Sequence, residues 1–477
     1  MSRLLTTLSA HGAALHASRR GSIPILFALS LVPLIGLVGL GIDYGVAASD
    51  KSKLDTAADA AALAGIVTTK AFIADNAGQA DLNAKAVAAG ITKATNVFRA
   101  NLGNVALAQI DFPTPQITRS GQTLTAVVKY SATVRNTFGR LFGTAATTLT
   151  NSSTASADIA SYLDFYLLLD VSGSMGLPAS DAGMTQLASV NKDMFSDYQQ
   201  GCQFACHFPN NTGWGLAAGK IQLRSDAVNN AVCSLIQRAS TPVVANQYRV
   251  GLYPFVNQMG VLTSITTNMS MLLTTAQCDT QWPLALTNLL DTGSTQLATN
   301  NDPSTGTGSG GTHFDTVLPQ MKSAIATFGD GSLATQPKSF VFLVTDGMQN
   351  DQNFSSSKNG KRVYPGSPTK FPGYDDANWD GSKPRQIDSA NCDALKKAGA
   401  TISILYIPYN IITFKELNSK TIITENKKVN TISPGLSTPL KACASSGFFF
   451  TANSADDIKA ALNSMFDKAL QVARLTQ

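Results

Sequence analysis

Charge is scarce in this chain. Asp, Glu, Lys and Arg make up 14% of its 477 residues, and 36 basic against 31 acidic residues leave a formal net charge of +5. So small an excess on so long a chain gives no basic footprint for a nucleic acid. No acidic residue precedes Asp43, whereas Arg3, Arg19 and Arg20 do. Cysteine is missing from the first two hundred residues. Cys202, Cys206, Cys233, Cys278, Cys392 and Cys443 all lie beyond them. An even number confined to one region suits disulfides made in an oxidising compartment. The alternatives are six buried thiols, or a metal site on Cys202, Cys206 and His207. Proline is missing from Asp43 to Phe72, where Ala is abundant. Ala is the best helix former, so a long uninterrupted helix is expected there. The length is too great for one compact core and implies two or three domains.

What is present begins with a membrane-length segment. Ile23 to Ile42 is an uncharged run, at about 1.5 Å per residue long enough to cross a hydrocarbon core as a helix. Pro24, Pro33 and several glycines are tolerable in such a helix. The arginines before it place residues 1–22 in the cytoplasm as a tail, with everything after the 23–42 span outside. A cleaved signal peptide is the competing reading, with Val46-Ala47-Ala48 as a small-residue cleavage site. A type IV prepilin would carry Glu five residues after its cleavage glycine. Leu26 stands there after Gly21. The uncleaved anchor is preferred, in a bacterial inner membrane, single-pass, with the bulk of the chain periplasmic or at the cell surface.

Residues 43–160 read as a periplasmic helix followed by a small helix-plus-sheet module. Ala80 to Phe98 is helical text, and Thr123 to Val134 alternates apolar and polar residues as a half-buried strand does. Residues 161–477 read as a larger α/β domain. Leu163 to Leu169 is a nearly unbroken apolar run, the mark of a strand buried on both faces of a parallel sheet. Strands at Tyr248–Phe255, Ser339–Thr345, Thr401–Ile407 and Gly447–Thr451 alternate with helical stretches at 219–238, 312–328, 386–398 and 454–474. Such alternation implies a doubly wound, Rossmann-like sheet. Inserts near 176–218, 257–311 and 348–385 interrupt it. Asp375, Asp376 and Asp380 in the third insert suit either a second calcium site or, preferably, a solvated loop.

The chemistry concentrates at strand ends, where doubly wound sheets bind ligands. Asp170-Val-Ser172-Gly-Ser174 follows the first buried strand, Asp346 follows a second, and Gly310-Gly311-Thr312 opens a helix between them. Two carboxylates and three hydroxyls are hard oxygen donors that suit Mg²⁺ or Ca²⁺ and suit zinc poorly. A hydrolase reading, with Ser174 as nucleophile and His313 as base, lacks the G-x-S-x-G elbow, because Ser172 stands at its first glycine. A D-x-D phosphatase fails because Ser172 replaces the second Asp.

Asp170, Ser172 and Ser174 match the D-x-S-x-S motif of von Willebrand factor A domains, and Thr312 and Asp346 match that family's later Thr and Asp. The resemblance implies a metal-ion-dependent adhesion site. In it the hydroxyls of Ser172, Ser174 and Thr312 contact Mg²⁺, with Ca²⁺ and Mn²⁺ as alternatives, and Asp170 and Asp346 act largely through water. A carboxylate from a partner protein completes the coordination shell. Arg20-Gly, Phe27-Ala-Leu, Pro33-Leu, Ile42-Asp43-Tyr44 and Asp59-Ala-Ala-Ala-Leu-Ala-Gly65 resemble the TadG-like proteins of tight-adherence (Flp) pilus assembly. The stretches around Cys392, Cys443 and Arg474 resemble the same proteins. These resemblances imply a membrane-anchored pilus-assembly or adhesion protein and not an enzyme. Its partner would be a pilus component or surface ligand presenting an acidic residue. The alternatives are a structural or tip subunit of the pilus and, further behind, a metal-dependent hydrolase. A Cys392–Cys443 bridge suits the expected elements, Cys202 and Cys206 could bridge locally, and Cys233–Cys278 remains by elimination. Spacing alone leaves fifteen pairings open.

Overall fold

The computed structural model describes residues 22–76, 81–103, 105, 107–190, 219–291, 297, 306–308, 310–351, 357–358, 361–362, 381–409 and 420–475. They form two compact units that divide between Ile159 and Ala160.

The first unit is organised by one helix, α1 (Ser22–Asp75), of 54 residues. At 1.5 Å per residue it is roughly 80 Å long. Its early part is long and apolar enough to cross a membrane. From Ile23 to Ile42 every residue is exposed except Gly36 and Gly39. Its later part is Ala-rich and covered. Leu54, Ala57, Ala58, Ala61 and Ala62 share one core with Phe98 of α2 (Leu82–Asn101) and with Val128, Tyr130, Ala132 and Val134. Small side chains allow α1 and α2 to approach closely. A Cβ on Gly90 would meet Thr69 Oγ1 at 2.0 Å and the Gly65 carbonyl at 2.8 Å.

The helices pack on a four-stranded antiparallel sheet. Its strands are β1 (Leu107–Asp111), β2 (Gln116–Ser120), β3 (Thr123–Arg135) and β4 (Ala146–Asp158). The long β3 pairs with β4 from Thr123↔Asp158 to Arg135↔Ala146. Its even-numbered residues from Leu124 to Val134 are buried, as the period-two pattern requires. Asp55 ties α1 to the sheet by accepting the Tyr130 hydroxyl at 2.5 Å and the Asn151 amide at 2.7 Å. The phenol of Tyr130 is correspondingly harder to ionise, through burial and the neighbouring carboxylate.

The second unit is built on a six-stranded sheet. In chain order its strands are β5 (Leu163–Asp170), β6 (Tyr248–Phe255), β7 (Thr263–Thr266), β8 (Lys338–Thr345), β9 (Thr401–Tyr406) and β10 (Phe449–Thr451). Across the sheet they run β10-β9-β8-β5-β6-β7, parallel except for the edge strand β7. The chain therefore starts in the middle, winds out to one edge, and restarts on the other side of β5. All eight residues of β5 are buried. Phe165, Leu167 and Leu169 join one core, Tyr166 and Leu168 the other. Two covered faces explain why its apolar run is nearly unbroken.

The first core is closed by helices α3 (Arg224–Ala239) and α4 (Ala455–Leu475), through Val228, Leu235, Leu462 and Phe466. The second is closed by α5 (Phe314–Ala324), α6 (Ala390–Ala398) and α7 (Ser437–Cys443), through Phe314, Leu318, Leu395 and Leu440. Disulfides join Cys233 to Cys278 and Cys392 to Cys443. Cys202 and Cys206, with His207, lie outside the described residues. Several segments differ from expectation, the 176–218 insert among them, with a helix at Asp181–Val190. The 257–311 stretch contributes the edge strand β7, too short and polar to signal itself. Residues 420–443, given no element from sequence, are largely helical.

Candidate metal centre

Asp170 is the last residue of β5, and Thr345 the last of β8. The two strands are paired up to Leu169↔Val344, so Asp170 ends abreast of Thr345 and Asp346 lies one residue beyond. This is the point from which the chain winds in opposite directions, and there the loops leaving adjacent strands diverge and open a crevice.

The loop after β5 turns at once. Asp170 Oδ1 accepts the Ser172 amide at 2.9 Å, which curls the chain so that Ser172 and Ser174 place their hydroxyls 3.1 Å apart. Asp170 Oδ2 accepts the Thr345 hydroxyl at 2.6 Å, and Thr345 Oγ1 in turn accepts the Gly347 amide at 3.0 Å. Ser174 lies close enough to Asp346 to favour its charged form. Asp170, Ser172, Ser174 and Asp346 are thus one cluster, and all are buried.

Thr312 is buried beside the same edge. Its carbonyl accepts the Asn350 amide at 3.0 Å, and the next amide, of His313, donates to the Val256 carbonyl just past β6 at 3.1 Å. Gly311 precedes it at φ +118°, and a Cβ there would meet Asn350 at 2.8 Å, so only glycine fits this approach. Asp291 braces the loop. It accepts the Gly310 amide at 3.0 Å and donates its own amide to the Val171 carbonyl at 2.9 Å.

The electrostatics are unfavourable for two bare carboxylates. Burial, then the charge of Asp346, pushes the Asp170 carboxyl up to about 7. Burial also raises Asp346, opposed mainly by Arg224. Arg224 opens α3, is itself buried, and donates Nη2 to the Pro408 carbonyl at 3.0 Å. Its Nη1 stands 3.8 Å from Asp346 Oδ2. Neither of those two atoms has a hydrogen-bond partner among the described residues. The pair is a Coulombic contact only, and an orphaned buried carboxylate oxygen is expensive. A small divalent cation among these oxygens would relieve that cost. The residues present therefore fit a hard, oxygen-liganded metal.

Sequence reasoning missed three contributors. Thr345 and Asp291 act through hydrogen bonds that need the fold to be known. Arg224 lies in a stretch that reads as ordinary helix, 122 positions from Asp346, and nothing local marks it. A further group, His313, Asp315 and Asp351, offers ligand atoms within 4.8 Å of one another. Arg385 already engages both of those carboxylates and offsets one of their two negative charges without a metal. Asp375, Asp376 and Asp380 lie outside the described residues.

Residues 21–82 match the model of a family described as putative Flp pilus-assembly TadE/G-like. The match takes in α1 and reaches the first residue of α2. No curated protein matches the chain. Among solved structures it is similar to the pilus adhesin SpaC from Lactobacillus rhamnosus GG, at 14% identity over 78% of this chain and 35% of that one, with a TM-score of 0.33. It is also similar to proximal thread matrix protein 1 from the mussel byssus with a zinc-occupied MIDAS motif, at 13% identity over 65% and 48%, TM-score 0.31. The PilB minor pilin from Streptococcus sanguinis gives 11% identity over 76% and 79%, TM-score 0.31. The chain thus spans about a third of SpaC and about half of the thread protein.

Proposed function

We propose that the second unit is a von Willebrand factor A-type domain whose Asp170, Ser172, Ser174, Thr312 and Asp346 hold Mg²⁺ and use it to grip an acidic group on a partner protein. The single observation that carries this is the buried Asp170–Asp346 pair at the divergence of β5 and β8, with Asp346 Oδ2 unsatisfied among the described residues. The ion would supply positive charge in a water-poor crevice, and a carboxylate is the natural partner for it. The protein's own residues do the rest. Ser172 and Ser174 present neutral oxygens, Thr345 and the Ser172 amide fix the orientation of Asp170, and Asp291 steadies the loop bearing Thr312. The role proposed is binding and not catalysis, in keeping with the pilus-assembly match over residues 21–82.

The pilus-assembly match over residues 21–82 supports a role in tight-adherence pilus assembly or adhesion. The bare apolar part of α1 supports a membrane anchor. Arg3, Arg19 and Arg20 support an N-terminus in the cytoplasm and the bulk outside.

The test is a calorimetric titration of the full chain in detergent with Mg²⁺, Ca²⁺ and Mn²⁺, alone and with excess acetate to complete the coordination shell. Binding by wild type that is lost in both Asp170→Ala and Asp346→Ala is the expected result. Silence of the wild type under both conditions, or binding retained by both variants, sinks the metal reading.

A further inference from the structure

The sheet module of the first unit contains a turn that the metal reading does not use. It joins β3 to β4 through Asn136–Ala145 and carries a short 3-10 segment at Gly139–Phe142. Its tip is apolar and bare. Leu141 is 75% exposed and Phe142 54% exposed. A soluble module would gain nothing by leaving two large apolar side chains at one turn in water.

The turn does not project freely. Phe142 and Phe138 lie against α1 where it has no side chains. A Cβ on Gly36 would meet the Phe142 ring at 2.4 Å, and one on Gly39 would meet Phe138 at 2.5 Å. These two glycines are the buried exceptions within the otherwise exposed stretch 23–42. One turn beyond, Asp43 clamps the loop. Its carboxylate accepts the amides of Thr137 at 2.9 Å, Phe138 at 2.9 Å and Gly139 at 2.7 Å.

The depth follows from helix geometry. If Ile42 marks the edge of the apolar run, Gly36 lies six residues inside it, or about 9 Å along the axis. The Phe142 ring packs at that level. Polar backbone is tolerated at such depth only when satisfied internally. Here it largely is. Besides the three amides held by Asp43, Leu141 donates to the Phe138 carbonyl at 2.9 Å, Gly143 to Arg140 at 3.3 Å and Thr144 to Gly139 at 2.9 Å. The Asn136 side chain donates to the Thr144 carbonyl at 3.2 Å and accepts the Thr147 hydroxyl at 3.0 Å. Arg140 and Tyr44 are exposed beside this turn. A long cationic stem can run up to the headgroups, and an exposed Tyr suits the interface.

We propose that the β3–β4 turn is a membrane wedge, with Leu141 and Phe142 inserted into the hydrocarbon of the adjoining leaflet alongside α1 and Asp43 locking it there. The inference rests on the reading of α1 as a membrane anchor. The occupant is lipid because the exposed tip continues the apolar surface of the spanning segment at the same level. The wedge would fix the height and tilt of the sheet module on the bilayer, which one helix alone leaves free.

The test places a single tryptophan in the full chain after Trp214→Phe, Trp282→Phe and Trp379→Phe, reconstituted in phosphatidylcholine vesicles with or without bromine on the acyl chains. Four probes are compared. Leu34→Trp reports the anchor and Ser152→Trp the distal, exposed part of β4. Phe142→Trp and Leu141→Trp report the turn, the second because its side chain is the more exposed and disturbs no packing against Gly36. The wedge predicts several-fold quenching by brominated lipid at Leu34→Trp and at both turn positions, and none at Ser152→Trp. Quenching at Leu34→Trp with unquenched turn probes overturns the wedge and leaves the anchor standing. Absence of quenching at Leu34→Trp overturns both. Blue-shifted turn emission that brominated lipid does not quench means protein covers the tip, and also overturns the proposal.

Discussion

Strand β5 carries a buried carboxylate near each end, and the two are held in opposite ways. Asp164, 1% exposed, receives two short hydrogen bonds from one guanidinium, Arg249 Nε at 2.7 Å and Nη2 at 2.6 Å. That fork supplies both the charge and the geometry a buried carboxylate needs. Asp170, six residues on, receives a hydroxyl and a backbone amide, and faces a second buried carboxylate in place of a cation. Arg224 stands beside Asp346, and without a hydrogen bond. One end of the strand is electrostatically complete within the chain. The other, among the described residues, is short of positive charge, which supports the metal site proposed above.

The largest expected effect comes from breaking the complete end. Arg249→Ala leaves Asp164 buried without a cation, with only the long hydrogen bond from the Tyr166 hydroxyl at 3.4 Å among the described contacts. Removing one partner of a fully buried pair costs 3–5 kcal/mol; because the Arg249 side chain is about a third exposed, roughly 2–4 kcal/mol is expected. Urea unfolding of the second unit would measure it. Metal affinity of the surviving folded protein should be unchanged. A loss of Mg²⁺ binding in folded Arg249→Ala would dissolve the distinction between the two ends.

The next effect is on pH dependence, and its sign follows from the raised carboxyls. Asp170 is pushed up to about 7 and Asp226 to about 6, each chiefly by burial. Asp226 is kept from rising further by its hydrogen bonds with Thr287 and with the Leu223 amide. A carboxyl raised on folding contributes most below its unfolded value near 4, and that contribution is lost as pH climbs through the folded value. Chelated protein should therefore lose stability between about pH 4 and pH 7. Added Mg²⁺ should flatten the upper part of the slope, and Asp226→Asn the lower part. Thermal unfolding in chelator across that range would show it. A chelated stability that instead rises from pH 4 to 7 would contradict the picture of uncompensated carboxylates.

How much of this was legible beforehand depends on the range of the interaction. Leu163–Leu169 and Ser339–Thr345 announce doubly covered strands because burial on both faces leaves an apolar run. Asp170-Val-Ser-Gly-Ser174 could be read as one piece because its residues are local, and Asp346 because it ends a second such strand. Thr263–Thr266 could not be read, since an edge strand of four mostly polar residues looks like loop. Residues 420–443 carry Ile422, Val429, Ile432, Leu436 and Leu440 at helical spacing, but Pro434, Gly435 and Pro439 interrupt the stretch, and its helices went unread. Gly36 and Gly39 passed as tolerated glycines of a membrane helix, whereas they are seats for Phe142 and Phe138. Arg224 and Asp291 are ordinary residues until the fold brings them to Asp346 and Gly310.

The smallest effect is the most discriminating, because it has the opposite sign to the first. Asp170→Asn removes one of two like charges from a buried site while keeping an oxygen to accept the Ser172 amide. The Thr345 hydroxyl can turn to receive the new amide in place of donating. In chelator at pH 8, where the Asp170 carboxyl is mostly ionised, the variant should be about 1 kcal/mol more stable than wild type. At pH 4, where wild-type Asp170 is already protonated, the difference should vanish. In saturating Mg²⁺ the order should reverse, because the wild type alone recovers the binding free energy. Denaturant midpoints under the three conditions are sufficient. Destabilisation by Asp170→Asn of the size expected for Arg249→Ala, in chelator at pH 8, would mean that Asp170 is a structural carboxylate like Asp164. The two ends of β5 would then differ in geometry but not in purpose.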